Sequence, residues 1–155
     1  MRLGSQGNRE RQPDVYPLVP LRDVVIFPSM ATAILVGRQP SVNAVERAIK
    51  TDKNIVVVTQ RNASVNEPGR DDLFRVGTLV KVFHHLNLPD GTIKVMLEGI
   101  SRVRVLEYIE MDNYLGARIE DLATEELLSK EVEALARRVE ALFGDYVRLN
   151  PRMPN

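Results

Sequence analysis

An α+β fold is predicted, with about six strands, one packed helix and a long C-terminal helix after them. Three patterns carry the prediction. Between Phe74 and Leu106, apolar residues alternate on either side of a Leu88-Pro89-Asp90-Gly91-Thr92 turn. A single short helical pattern follows Pro40, and after Thr124 the apolar spacing changes to fours and threes. Period-two and period-3.6 patterns of this kind mark half-buried strands and amphipathic helices.

The chain in order begins with Met1 to Asp14, a polar segment with hardly an apolar side chain, expected to be a mobile tail. Two apolar runs follow, Leu18 to Phe27 and Met30 to Val36, separated by Pro28-Ser29. Prolines at 17, 20 and 28 forbid a helix there and favour short edge or crossing strands. Gly37 ends the second strand. Pro40 then preorganises a helix with Val42, Val45, Ala48 and Ile49 on one face, ending near Asp52.

Ile55 to Val58 is a β-branched run short enough to be a fully buried strand. A polar loop from Arg61 to Asp72 leads into the long hairpin. On its incoming strand Val80, Val82, Leu86 and Leu88 share a parity, and on the outgoing strand Ile93, Val95, Leu97, Val103 and Val105 do. Pro, Asp and Gly in succession suit a type I turn closed by a residue at positive φ. Gly99 interrupts the alternation and is expected to mark a β-bulge that bends the sheet. Tyr114 to Leu122 supplies a last strand.

From Leu128 to Leu149 the stripe Leu128, Val132, Leu135, Val139, Leu142, Tyr146, Leu149 is heptad-like, on a helix expected to begin at a Thr124 cap and end before Pro151. Such a helix is about 37 Å long, more than a small β-domain covers. The expected organisation is therefore a tail (1–14), a β-rich domain (15–123) and the start of a helical region (124–155), either cut from a longer chain or self-associating.

Composition bounds the chemistry. Lys plus Arg and Asp plus Glu are equal at 21 each, so overall charge gives no pull toward nucleic acid or an anionic membrane. The absence of cysteine excludes disulfides, thiolate metal sites and a cysteine nucleophile. No apolar run approaches the roughly 20 residues that span a bilayer, and no leader pattern opens the sequence; a cytoplasmic location is expected.

His84 and His85, the two histidines, are neighbours in a strand and point to opposite faces, which suits one partly buried and one solvated side chain better than one metal. Asp71-Asp72 reads as a turn or cap. No Gly-Lys-Ser/Thr phosphate loop occurs, and Ser129-Lys130 diverge on a helix. Arg102 and Arg104, with Lys94, form a basic stripe that cross-strand carboxylates are expected to neutralise. No catalytic, cofactor-binding or metal-binding residue is predicted. What remains is apolar surface: Pro28 and Met30 at the proline bend, and Leu86, Leu88 and Pro89 at the hairpin tip, are the candidate substrate- or partner-binding residues.

Several segments together carry a family resemblance. Val19-Pro20-Leu21-Arg22-Asp23-Val24-Val25-Ile26-Phe27-Pro28, Val36-Gly37-Arg38, Glu67-Pro68-Gly69, Asp72-Leu73-Phe74-Arg75-Val76-Gly77-Thr78, Leu88-Pro89-Asp90-Gly91-Thr92 and Glu98-Gly99-Ile100-Ser101-Arg102 resemble, in order and spacing, the N-terminal domain of bacterial Lon proteases. The resemblance spans Val15 to about Pro151. It implies a PUA-like β-pseudobarrel with one packed helix, followed by a helix entering a longer helical region. It also implies a non-catalytic domain that engages unfolded or damaged protein substrates and supports a homohexamer in protein quality control. In that family ATP and magnesium belong to a downstream AAA+ module and the Ser-Lys dyad to a downstream protease domain. Two alternatives from other classes stand beside it: a free-standing adaptor, and an RNA-binding module of PUA-like type.

Overall fold

The structure is a computed structural model that describes residues 15–123 and 129–150. The predicted tail, the Thr124 cap, Leu128 and the segment from Pro151 lie outside the described residues. The chain divides into two compact units, one ending at Leu122 and the other beginning at Ala123.

In the first unit the elements run β1 (Tyr16–Leu21), β2 (Ala31–Val36), α1 (Gln39–Ile49), β3 (Asn54–Thr59), β4 (Val76–Asn87), β5 (Ile93–Glu110) and β6 (Leu115–Asp121). The strands form one sheet in the order β2-β5-β4-β3-β1-β6, and β6 also pairs with β5. Five strands therefore close a ring, and β2 is appended to the first half of β5. Among the described strands only the β1–β3 pair is parallel, with β2 and α1 lying in the crossover between them.

Two apolar cores occupy the two faces of the central strands. Val19, Leu21, Ile55, Val57, Val80 and Val82 pack with α1 and β2, while Tyr16, Leu18, Val56, Val58, Leu79, Val103 and Val105 fill the ring. The continuous run of β3 is thus buried on both faces, as a strand without alternation should be. Helix α1 buries Ser41, Val42, Ala44, Val45 and Ala48 against the first core, the spacing of one helical face.

The predicted hairpin is present with a register that the alternation alone does not reveal. Leu79 stands opposite Ser101 but Val80 opposite Gly99, which leaves Ile100 as an extra residue beside the glycine. A bulge of one residue exchanges the two faces of a strand. Ile93, Val95 and Leu97 accordingly enter the first core, and Val103 and Val105, of the same parity, enter the second.

A second bulge corrects the incoming strand. Val82 pairs with Leu97 and His84 with Met96, so Phe83 is the extra residue, and Leu86 lies opposite Lys94 on the solvent face rather than with Val80 and Val82. The apolar run to Phe27 is likewise no single strand. β1 stops at Leu21, Asp23 adopts a φ of 51°, and residues 22–30 cross the sheet. Two of their carbonyls are bonded by side chains: the Thr59 hydroxyl donates to the Val24 oxygen at 2.7 Å and the Thr78 hydroxyl to the Ile26 oxygen at 2.5 Å.

In the second unit α2 runs from Lys130 to Leu149, about 30 Å. Ser129 caps it, its Oγ accepting from the Val132 N–H at 3.2 Å, so this helix starts later than the Thr124 cap predicts. Serine at this position relieves one of the unpaired N–H groups of the first turn. Val132, Leu135, Val139, Leu142, Tyr146 and Leu149 all stay exposed along it.

Candidate functional site

The candidate residues fall at the two ends of β2. At its start, Phe27-Pro28-Ser29-Met30 is a tight turn closed by Met30 N–H to the Phe27 oxygen at 3.1 Å, with Ser29 at φ 64°. Proline followed by a residue at positive φ is the pattern of a type II turn. The turn docks on the β5 bend: Ser29 N–H donates to the Gly99 oxygen at 2.8 Å and Gly99 N–H to the Met30 oxygen at 2.9 Å.

At the other end Val36 pairs with Ile93, the first residue after the hairpin tip. There Gly91 takes φ 85°, and Leu88 exchanges backbone bonds with Gly91 and Thr92. The Asp90 carboxylate accepts from the Thr92 N–H and hydroxyl, which holds its pKa below the ordinary carboxylate value. Pro89 is exposed and Leu88 half-buried. The six residues of β2 separate the two groups by roughly 20 Å, so they do not form one pocket.

What joins them is the outer face of β2, β5 and β4. Leu35 and Leu86 both stand opposite Lys94, and Ala33 and His84 both stand opposite Met96. Directly paired residues project from the same side of a sheet. Leu35 is 70% exposed, Leu86 54% and Phe83 51%, and Phe27, Met30 and Ile100 add to this apolar surface at the Gly99 end. The stem of Lys94 lies between two leucines, where its methylenes extend the apolar strip.

Leu35, Phe83 and Phe27 are not among the predicted residues. Leu35 and Phe83 could both have been read from parity, against buried Val36 and Val82. His84 and His85 are both exposed, and Asp72 caps a single 3-10 turn through the Gly69 N–H. The basic stripe is neutralised at one of its three residues, where Arg104 bonds Glu120 at 3.0 Å; among the described residues Arg102 and Lys94 form no ion pair. A surface pair like this contributes about 1 kcal/mol or less, so its effect is on charge more than on stability.

Two tyrosines are also perturbed. Burial raises the Tyr16 hydroxyl pKa, with Asp52 and Asp121 adding to it; burial also raises that of Tyr108, opposed by Arg75 and Arg61. Among the described residues no group of three or more His, Asp or Glu side chains could hold a metal ion. The surface offers contact area and backbone edges, the equipment of a binding domain.

Comparison with known proteins gives the family. Residues 15–155 match the family described as the ATP-dependent protease La (LON) substrate-binding domain, and the chain belongs to that family. It is 45% identical over 148 residues to a Lon protease of Xanthomonas oryzae pv. oryzae, covering 94% of this chain and 17% of that protein. Against the Lon protease of Escherichia coli K12 the identity is 40% over 138 residues, 89% of this chain and 18% of the relative. The chain thus spans less than a fifth of the length of these relatives.

The fold is that of solved Lon N-terminal domains. The N-terminal domain of Mycobacterium avium complex Lon protease superposes with a TM-score of 0.63 at 15% identity, over 89% of this chain and 76% of that one. A Lon N-terminal domain protein from Xanthomonas campestris gives 0.62 at 21% identity, over 83% and 73%. Among the described residues no helix is long and apolar enough to cross a membrane.

Proposed function

We propose that this chain is the non-catalytic N-terminal part of a cytoplasmic, ATP-dependent Lon serine protease, and that it holds unfolded or damaged protein for degradation elsewhere in the enzyme. The observation that carries the reading is the outer β2–β5–β4 face, where Leu35, Phe83 and Leu86 are exposed together. Folded clients bury such side chains of their own, and unfolded ones present them, so a shallow apolar surface selects for lost structure. ATP and magnesium, in this reading, serve the downstream part.

Support of a homohexamer is the second half of the proposal, and the apolar stripe of α2 supports it. Seven large apolar side chains are exposed between Val132 and Leu149, a surface of the kind that helix partners cover. Six linked domains would each bind weakly and together bind well.

The test is a titration of isotopically labelled chain with a permanently unfolded protein, followed by NMR. Shifts are expected at Leu35, Phe83, Leu86 and Met96. Shifts confined to the β6 side of the ring would overturn the assignment of the face.

A further inference from the structure

Two clefts of the first unit meet at one cationic point. The first, about 590 Å³, lies between Val19, Pro20 and Leu21 of β1 and Ala33 to Val36 of β2. The second, about 710 Å³, is walled by Leu18, Pro40, Pro68 and Leu115. Both are lined by Pro20, Arg22, Arg38 and Ser41. Neither arginine has a carboxylate within ion-pair distance among the described residues; Glu67 lines the second cleft without pairing.

Arg38 is held by its own fold. It donates to the Pro20 oxygen at 2.6 Å, to Gln60 Oε1 at 2.6 Å and to the Asn66 oxygen at 3.4 Å, which leaves part of its five-donor guanidinium free. Arg22 is exposed and, among the described residues, its guanidinium bonds Asn66 Oδ1 at 3.1 Å. Burial and the neighbouring Arg22 charge both lower the Arg38 pKa, the mark of positive charge lacking a counterion.

The backbone points the same way. Arg38 is the N-cap of α1 and makes no side-chain capping bond, and no acidic residue occupies the first turn. Ser41, in that turn, is 5% exposed and lines both clefts. Two guanidinium groups without a carboxylate partner, beside the positive end of a helix, call for an anion.

We infer that the Arg22–Arg38 junction binds the C-terminal carboxylate of a polypeptide whose last side chain is apolar. A chain end has three branches: a carboxylate, one side chain and one incoming main chain. The junction offers a cationic point, an apolar cleft walled by Leu18, Pro40, Pro68 and Leu115, and a second cleft beside β2. β2 ends the sheet, so its second edge is open to main-chain pairing. An internal acidic side chain has two main-chain directions and no apolar branch, and free phosphate has neither.

The inference rests on the reading of this domain as a polypeptide binder, and its test separates the two. A short fluorescent peptide ending in leucine is titrated by anisotropy in free-acid and C-terminally amidated forms. The free acid is expected to bind about tenfold tighter, the scale of one charge-assisted hydrogen-bond set. Arg22→Gln, an exposed substitution checked by circular dichroism, is expected to erase that difference, and Arg22→Lys to restore part of it.

Equal binding of acid and amide overturns the inference, as does a difference that survives Arg22→Gln. Equal binding of an amidated peptide carrying an internal aspartate overturns the terminal assignment, and displacement of the peptide by inorganic phosphate at matching concentration overturns the polypeptide one. In each case a permanently unfolded protein that still shifts Leu35 and Leu86 leaves the broader function standing. Loss of that shift in the unsubstituted chain sinks the broader function itself.

Discussion

Gly99 and Phe27 touch backbone to backbone: a Cβ placed on Gly99 would overlap the Phe27 carbonyl. The contact fastens the crossing segment to the bend of β5, and with it the Pro28 turn and the start of β2.

Gly99→Ala is therefore expected to destabilise the domain by at least ~2 kcal/mol, because the obstacle is main chain and cannot rotate away. Urea unfolding followed by circular dichroism measures it. A variant as stable as the parent would show that the crossing segment shifts freely.

Leu35→Asp and Leu86→Asp should behave differently. Both side chains are already in water, so stability should change by no more than ~0.5 kcal/mol. Affinity for unfolded protein should fall about tenfold, the scale of losing one buried leucine. Calorimetric titration gives the affinity, and thermal melting checks the fold.

Thr78→Val tests the anchoring of the crossing segment at its middle. The Thr78 hydroxyl is the donor to the Ile26 carbonyl in a buried setting. Removing it leaves that oxygen unpaired at a cost of about 1–3 kcal/mol, with volume nearly conserved. A neutral result in urea unfolding would mean that another donor replaces the hydroxyl.

Alkaline pH should unfold the domain through its tyrosines. Tyr16 and Tyr108 have folded pKa values raised above the ordinary value near 10. Their contribution is intact below the unfolded pKa and is lost as pH rises toward the folded one, since the unfolded state ionises first. Tyrosinate absorbance with rising pH should show these groups ionising late, together with loss of structure. Tyr108→Phe should remove part of that dependence, at the expense of the bond to the Phe74 oxygen.

Legibility in the sequence followed the range of the interaction. The Pro89-Asp90-Gly91 turn, the α1 face and the doubly buried β3 were all readable, because each depends on neighbours within a few residues. The register was not. Val80, Val82 and Leu86 share a parity, yet Phe83 bulges between them and sends Leu86 to solvent. Nothing in that alternation distinguishes Phe83 from an ordinary strand residue; the ladder with β5 does. Likewise the start of α2 moved to Ser129, another residue able to cap a helix.

The sequence by itself determined the order and type of the elements, the exclusion of cysteine chemistry and the balance of charge, since composition and local conformational preference set these. Only the tertiary structure decided that one parity of β5 serves two cores. It also brought Leu35 beside Leu86 across Lys94, and Arg22 to Arg38 at the junction of two clefts. Those pairs are separated by long stretches of chain. Strand register and crossing of the 22–30 segment bring them together, and both are fixed by packing over the whole domain.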